Sequence, residues 1–207
     1  MNKMTFYEQV GIVIPGSILL FGLLFYFPSV NELMAKDGVT LGQFGIFLLL
    51  SYALGHLLAA VGNALEAIFW HIAGGVPTDW VTKANGTSLL SSSQIDALEA
   101  KVEARFGSKV GKIPGMDRKS WFPISRQIYA DVVKNGKPER IDTFNGNYGL
   151  NRGLAAATLG LAVESFAQGQ NGVGAVFIIV ALIYGYRGFR FARHYARELY
   201  VQFLVLS

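Results

Sequence analysis

Residues 41–70 contain an uninterrupted apolar run that constrains the fold more than any other part of the chain. Its first twenty-five residues, 41–65, carry no charged side chain. A helix needs about 20 predominantly apolar residues to cross the hydrocarbon of a bilayer. We therefore expect residues 41–70 to form a membrane-spanning helix.

Three polar side chains interrupt this apolar helix at intervals of seven and three: His56, Asn63 and Glu66. These intervals place them on one helical face. Because unpaired polar groups are costly in hydrocarbon, the pattern predicts that this face is turned toward protein. At 1.5 Å per residue the three lie about 22, 33 and 37 Å from Leu41. Because the hydrocarbon is about 30 Å thick, they lie on both sides of its far boundary.

Three further apolar segments extend the membrane prediction. Residues 10–27 form an uncharged run of eighteen, and residues 153–167 and 173–186 flank an uncharged turn at residues 168–172. A chain with 52% hydrophobic residues and a mean hydropathy of +0.36 is poorly suited to a soluble globule. The expected fold class is an all-α integral membrane protein with four transmembrane helices.

Residues 74–147 differ in composition and predict a small helical cytoplasmic insert. Gly74, Gly75 and Pro77 end the long apolar helix. A capping-box pattern at Ser93–x–x–Asp96 predicts a helix that ends at Gly107, and a second helix is expected from Pro123 to Gly136. A third helix is expected to start at Pro138 and to run into the span at residues 153–167. The chain thereby divides into residues 1–73, 74–147, 148–186 and 187–207.

The last of these segments predicts a basic, amphipathic C-terminal helix. Its basic residues share one face, while apolar residues follow another: Arg187, Arg190, His194 and Arg197 against Phe189, Ala192, Ala196, Leu199, Phe203 and Leu206. A basic face directly after a span suits contact with anionic lipid.

The distribution of Lys and Arg predicts the orientation. Residues 83–140 contain eleven and residues 187–197 contain four, whereas the loop at residues 28–40 contains only Lys36. Cytoplasmic segments keep an excess of these residues, so both termini and the insert are expected in the cytoplasm, with the chain in a cell inner membrane. With no cysteine and three scattered histidines, we expect no metal and no other cofactor.

Polar residues of three predicted spans fall at one depth, near the cytoplasmic boundary. They form an expected interface cluster of His56, Asn63, Glu66, Asn151, Arg152 and Arg187. Arg152 requires a counter-charge, and Glu164 on its own helix lies about 18 Å away. We therefore predict a Glu66–Arg152 ion pair bracketed by Asn63 and Asn151, with a structural role rather than a catalytic one.

An alternative interpretation uses Arg187 and His194. Six residues separate them, which fits the R-x4–6-H pattern of the HEPN ribonucleases. Two helical turns place both on one face, and in a dimer the histidine could act as a general base while the arginine binds phosphate. A membrane-tethered, RNA-cutting enzyme therefore stays open as a second hypothesis.

Four strings carry a resemblance to a known group: YEQVGIVIPGSILL, GHLLAAVGNALE, NYGLNRG and RGFRFARHYARELY. The chain resembles small bacterial membrane proteins associated with anti-phage defence. It is similar, more distantly, to the small transmembrane accessory protein encoded beside the RNA-guided RNase of type VI-B CRISPR loci. The resemblance covers the spans and the C-terminal helix. It implies a HEPN-like helical protein that assembles in the inner membrane, opens a pore and disturbs the membrane during infection.

We therefore expect an oligomeric inner-membrane effector that forms or gates a pore. Small residues of the first and third spans would let copies pack into a ring. Expected partners are further copies of the chain, anionic lipid, and RNA or an RNA-guided nuclease at the cytoplasmic part. A simple membrane anchor for a soluble partner is a third hypothesis.

Overall fold

Helices make up almost all of the part of the chain that the computed structural model describes, which is residues 9–27, 40–83, 89–107 and 111–206. No strand occurs in these ranges, so the expected all-helical class is confirmed for them. A π-helical turn, Gln9–Val13, precedes α1, and a 3-10 turn, Pro77–Thr82, follows α2. The helices are α1 (Ile14–Leu24), α2 (Leu41–Ile72), α3 (Ser92–Phe106), α4 (Arg118–Asn135), α5 (Glu139–Ala167) and α6 (Asn171–Val205).

Two segments are long and apolar enough to cross a membrane, judged by length and composition. They are Leu41–Thr82, which contains α2, and Asn171–Val205, which is α6. The apolar helix Gly11–Leu24 is shorter and spans only about 21 Å, because a helix rises 1.5 Å per residue. Two of the four predicted spans are therefore matched. The expected cytoplasmic N-terminus and the loop at residues 28–40 lie outside the described residues, apart from Gln9 and Thr40.

The chain divides into two compact units. The first unit comprises Met1–Ile68 and Asn145–Phe189, and the second comprises Phe69–Phe144 and Arg190–Ser207. The segment boundaries predicted from the sequence fall after residues 73, 147 and 186. In the structure the division falls inside α2, α5 and α6, so each of these helices contributes residues to both units.

Glycines bring α1 against α2 in the first unit. A Cβ atom built at Gly16 would lie 1.8 Å from the carbonyl oxygen of Ser51, and one at Gly55 would lie 2.2 Å from that of Ile12. No side chain fits at either position, so the two backbones touch directly. Ser51 itself is fully buried at this crossing.

Small residues also bring α1 against α5. A Cβ at Gly153 would lie 2.6 Å from the Pro15 ring, and the tyrosine hydroxyl of Tyr26 lies 2.7 Å from the hydroxyl of Ser165. The small residues that were expected to join separate copies therefore pack inside a single chain. The expected ring would have to use another surface.

The second unit has a conventional apolar core around the 3-10 turn. The carbonyl oxygen of Thr78 accepts hydrogen bonds from the Trp121 indole nitrogen at 2.9 Å and from the Tyr200 hydroxyl at 2.5 Å. Both donors are fully buried, and they belong to α4 and α6. A buried carbonyl must be paired, so these two aromatic side chains fix the turn in the core.

An ion pair joins α3 to α4 at the edge of this core. Arg105 donates through Nε and Nη2 to the two carboxylate oxygens of Asp131, at 2.9 and 3.0 Å. Asn135 donates a further bond to the same carboxylate at 2.6 Å. The hydrogen bond from the Arg105 guanidinium holds the pKa of Asp131 below its ordinary value.

Two helix starts differ from the predicted ones. Helix α3 has its capping box at Ser91 and Gln94, because the Ser91 hydroxyl accepts from the Gln94 amide and the Gln94 side chain accepts from the Ser91 amide. The pattern at Ser93 was wrong by two residues. Helix α4 starts at Arg118 rather than at Pro123, since Asp117 caps it by accepting two amide hydrogen bonds.

The other predicted boundaries agree better with the structure. Helix α2 ends before Gly74 and Gly75, whose φ angles are positive, and α3 ends at Gly107 with φ 65°. The predicted C-terminal helix is not separate, because α6 continues without a break from Asn171 to Val205. Its apolar face is nevertheless confirmed: Ala192, Ala196, Leu199 and Phe203 are buried, whereas Arg187, Arg190, His194 and Arg197 are exposed.

The contact between α1 and α2 predicts a steric requirement at Gly16. We expect Gly16→Ala to destabilise the chain by about 1–3 kcal/mol, because the new methyl group would overlap the Ser51 carbonyl. Gly185→Ala is the matched control, since a Cβ there meets nothing within 4 Å and alanine favours helix. The measurement is the unfolding temperature in detergent. Equal unfolding temperatures for the two variants would contradict the backbone contact.

Candidate functional site

One face of α2 packs against its own chain within the first unit. Its members follow one another at intervals of four, three, four and four residues and are buried or half-buried: Ser51, Gly55, Leu58, Gly62 and Glu66. Glu66 is the only charged residue among them. Its burial on an apolar helix makes it the first residue to examine for function.

Glu66 pairs with Arg152 of α5. The Arg152 Nη1 atom donates a hydrogen bond to Glu66 Oε2. The two side chains are 17% and 23% exposed, for Arg152 and Glu66 respectively, so the pair is largely shielded from its surroundings. The ion pair predicted from the sequence is therefore confirmed.

Two residues that the sequence interpretation missed shape the surroundings of Arg152. A Cβ at Gly62 would lie 3.1 Å from Arg152 Cγ, so the absence of a side chain lets the arginine stem cross α2. The Arg152 guanidinium also lies over the Tyr148 ring, 5.6 Å from its centroid. Both residues precede a member of the pair by four positions, and this helical spacing was the available signal.

Asn151 does not bracket the ion pair as predicted. It is 3% exposed, and its side-chain Nδ2 donates to the carbonyl oxygen of Asn147 at 2.7 Å, within its own helix. Gly188 of α6 lies close to it, since a Cβ there would be 3.7 Å from Asn151 Cβ. Asn151 thus occupies a van der Waals contact between α5 and α6, and its side-chain amide bonds its own helix.

The other two polar residues of α2 face away from the chain's interior. His56 and Asn63 are both exposed, and the His56 ring makes an edge contact with the Tyr52 ring at 4.5 Å between centroids. Within the single chain, the inward position predicted for His56, Asn63 and Glu66 therefore holds for Glu66 alone. The physical reason is packing: close helix contact selects the small residues Ser51, Gly55 and Gly62, which lie on a different face.

The residues of the ribonuclease hypothesis lie on α6. Arg187 and His194 are both exposed, so Arg187 lies outside the buried contact that contains Glu66 and Arg152. The His194 ring stacks on the Phe144 ring with 5.6 Å between centroids. This stacking gives His194 a packing role.

The Glu66–Arg152 site is suited to holding two helices in register. Opposite charges attract more strongly where water is scarce, but removing both from water is costly. Such a pair therefore adds specificity to an interface more reliably than it adds stability. Within the described ranges, no group of three His, Asp or Glu side chains is arranged to hold a metal ion.

Comparisons with protein-family models, with curated proteins and with solved structures found no match for this chain.

The geometry predicts strong coupling between Glu66 and Arg152. We expect Glu66→Gln and Arg152→Gln each to cost more than the ~0–1 kcal/mol of an exposed pair and less than the roughly 3–5 kcal/mol of a fully buried one. The double variant should cost less than the sum, because neither charge is then left unpaired. Unfolding of the detergent-solubilised chain measures all three. Additive effects would contradict the pairing, and Glu164→Gln on α5 is the control for an acid-to-amide change.

Proposed function

We propose that the chain is an integral protein of the cell inner membrane that self-assembles and there forms or gates a pore. The observation that carries the membrane insertion is the burial pattern of the first unit. Many large apolar side chains lie on its outside, and its interior contains small and hydroxyl side chains beside a few buried leucines such as Leu20, Leu58 and Leu161. In water this arrangement would be unfavourable, and in hydrocarbon it is the expected one.

The exposed apolar surface is concentrated on α2 and α6. Only 17% of the most apolar window of each helix is buried. The core helix of a soluble protein would be mostly covered by its neighbours. The outward residues include Leu49, Leu57 and Ile68 on α2, and Ile179 and Leu182 on α6, with exposed fractions from 58% to 72%.

The interior of the first unit supports the same proposal. Its buried side chains include Ser51, Ala157, Thr158 and Ser165, and the two hydroxyl groups on α5 donate to backbone carbonyls four residues earlier. Hydroxyl groups that bond their own helix are satisfied without water. Such an interior is compatible with a low-dielectric environment outside.

Four crossings place both termini and the insert in the cytoplasm. In this proposal α1 and α5 cross beside α2 and α6. Helix α5 has 29 residues, or about 43 Å, so it is long enough although its first half is polar. The Lys and Arg count of residues 83–140 and 187–197 favours the cytoplasm for these segments. The exposed arginines of α6 would meet anionic headgroups.

A pore in this proposal forms between copies. Helices of the first unit touch directly at Gly16, Gly55 and Gly153, which favours a water path at an interface between copies rather than within one chain. The resemblance to defence-associated membrane proteins supplies the biological setting, which is damage to the membrane of an infected cell. The Glu66–Arg152 pair would hold each copy in the shape that assembles.

The proposal predicts a permeability change that depends on the ion pair. Expression of the wild-type chain with its genomic neighbours, followed by phage challenge, should admit a membrane-impermeant dye. We expect Arg152→Ala to reduce dye entry to near the uninduced level, because Glu66 is left unpaired between α2 and α5.

The control for this experiment is Glu164→Gln, expressed at the same level. Its carboxylate accepts a hydrogen bond from Gln168 near the end of α5, so the change should leave dye entry unaltered. Permeability that the wild-type chain does not alter would contradict the pore. Intact membranes together with cleaved RNA would instead favour the ribonuclease hypothesis, and His194→Ala would then abolish cleavage.

A further inference from the structure

The outward side of α2 is divided into two faces of different chemistry. One face carries large apolar side chains with exposed fractions between 42% and 61%: Ile46, Leu50, Leu57, Val61, Leu65 and Ile68. This face suits contact with acyl chains. The other face carries one leucine, three alanines and two polar residues, and we call it the α2 seam: Leu49, Ala53, His56, Ala60, Asn63 and Ala67.

The α2 seam has the spacing of a helix-pairing surface. Its six members follow at intervals of four, three, four, three and four residues, which is the heptad pattern. All six are exposed in the single chain. Toward the start of the helix, Gly42 and Gly45 continue the same side, and a Cβ at either would meet nothing within 4 Å. The seam is therefore open along its length.

His56 and Asn63 are the independent reason to expect an occupant. Lipid can cover an alanine face at little cost, but acyl chains offer no hydrogen-bond partner to the His56 imidazole, which lies about 22 Å along the helix from Leu41. Asn63 lies nearer the boundary on the same face. Across a helix pair, such groups bond to one another and small neighbours let the backbones approach. The two polar residues lie seven apart, so a single straight partner helix can meet both.

We propose that the α2 seam binds the α2 seam of a second copy of this chain, with the helices parallel and related by a two-fold axis. This inference rests on the proposed membrane insertion, but not on the pore. Identical chains insert in one orientation, so a second copy brings its His56 and Asn63 to the same two depths. Imidazole and amide groups each contain a donor and an acceptor, so each residue is complementary to its own counterpart.

Single cysteines test the seam, because the natural chain contains none. Ala53→Cys and Ala60→Cys lie on the seam, and their matched controls, Leu57→Cys and Val61→Cys, lie one residue beyond seam positions on the large apolar face. Each full-length variant is oxidised in native membranes with copper phenanthroline and analysed without reductant. Because a disulfide needs Cα atoms within about 7 Å, we expect dimers for Ala53→Cys and Ala60→Cys and fewer than a tenth as many for the controls.

A second measurement tests the polar residues. Asn63→Leu keeps the number and branching of the side-chain heavy atoms and removes the amide, and it should weaken self-association in lipid about threefold, as measured by energy transfer between labelled copies. Leu57→Val on the other face should leave association unchanged. Cross-linking that is equal at all four positions, or stronger at the controls, would overturn the seam.

The outcomes separate this inference from the proposed pore. Seam cross-links without a dye-permeability change would retain the α2 pairing and reject the pore. A permeability change together with cross-links that do not prefer the seam positions would retain the pore and reject the α2 pairing.

Discussion

The contact between Glu66 and Arg152 is the constraint on which the first unit depends, because it places two charges beside an apolar cluster that contains Leu58, Ala156 and Ala157. Arg152 reaches across α2 only where Gly62 leaves room, and its guanidinium lies over Tyr148. The pair therefore fixes which turn of α2 meets which turn of α5. Glycine contacts at Gly16 and Gly55 bring α1 into the same arrangement, so one electrostatic match and several steric ones define a single packing.

The two units achieve burial by opposite means. In the second unit, large side chains such as Trp121, Tyr200 and Phe203 are fully buried, and the Thr78 carbonyl pairs with two of them. In the first unit, many large side chains face outward, and small or hydroxyl side chains share the interior with a few leucines. The hydrophobic effect accounts for the second unit in water, whereas van der Waals packing between small residues is what joins helices within lipid. The two burial patterns therefore suit different solvents, water for the second unit and, in the proposed function, hydrocarbon for the first.

Much of this arrangement could be predicted from sequence, for identifiable reasons. Gly74 and Gly75 favour a helix end because glycine adopts positive φ angles without strain, and Arg152 beside apolar residues requires an acid such as Glu66. The direction in which His56 and Asn63 point could not be predicted. A polar residue on an apolar helix can point toward its own chain or toward another copy, and both cases give the same sequence pattern. The start of α4 was missed because Pro123 was taken as the first residue of the helix. In the structure Pro123 lies inside the helix, which Asp117 caps. The number of membrane crossings depends on which helices of the first unit are surrounded by hydrocarbon. The periodicity of the sequence does not reveal this.

The most direct test of the account is whether the outside of the first unit faces hydrocarbon. Spin labels on Leu57→Cys of α2 and Ile179→Cys of α6, in chains reconstituted into liposomes, report collision with oxygen and with a water-soluble nickel complex. A label on Asp96→Cys of α3, which is exposed, serves as the water-facing control. The account predicts that the first two labels collide with oxygen and not with nickel, and that the third shows the reverse. Free access of the nickel complex to Leu57→Cys and Ile179→Cys would contradict a membrane-embedded first unit.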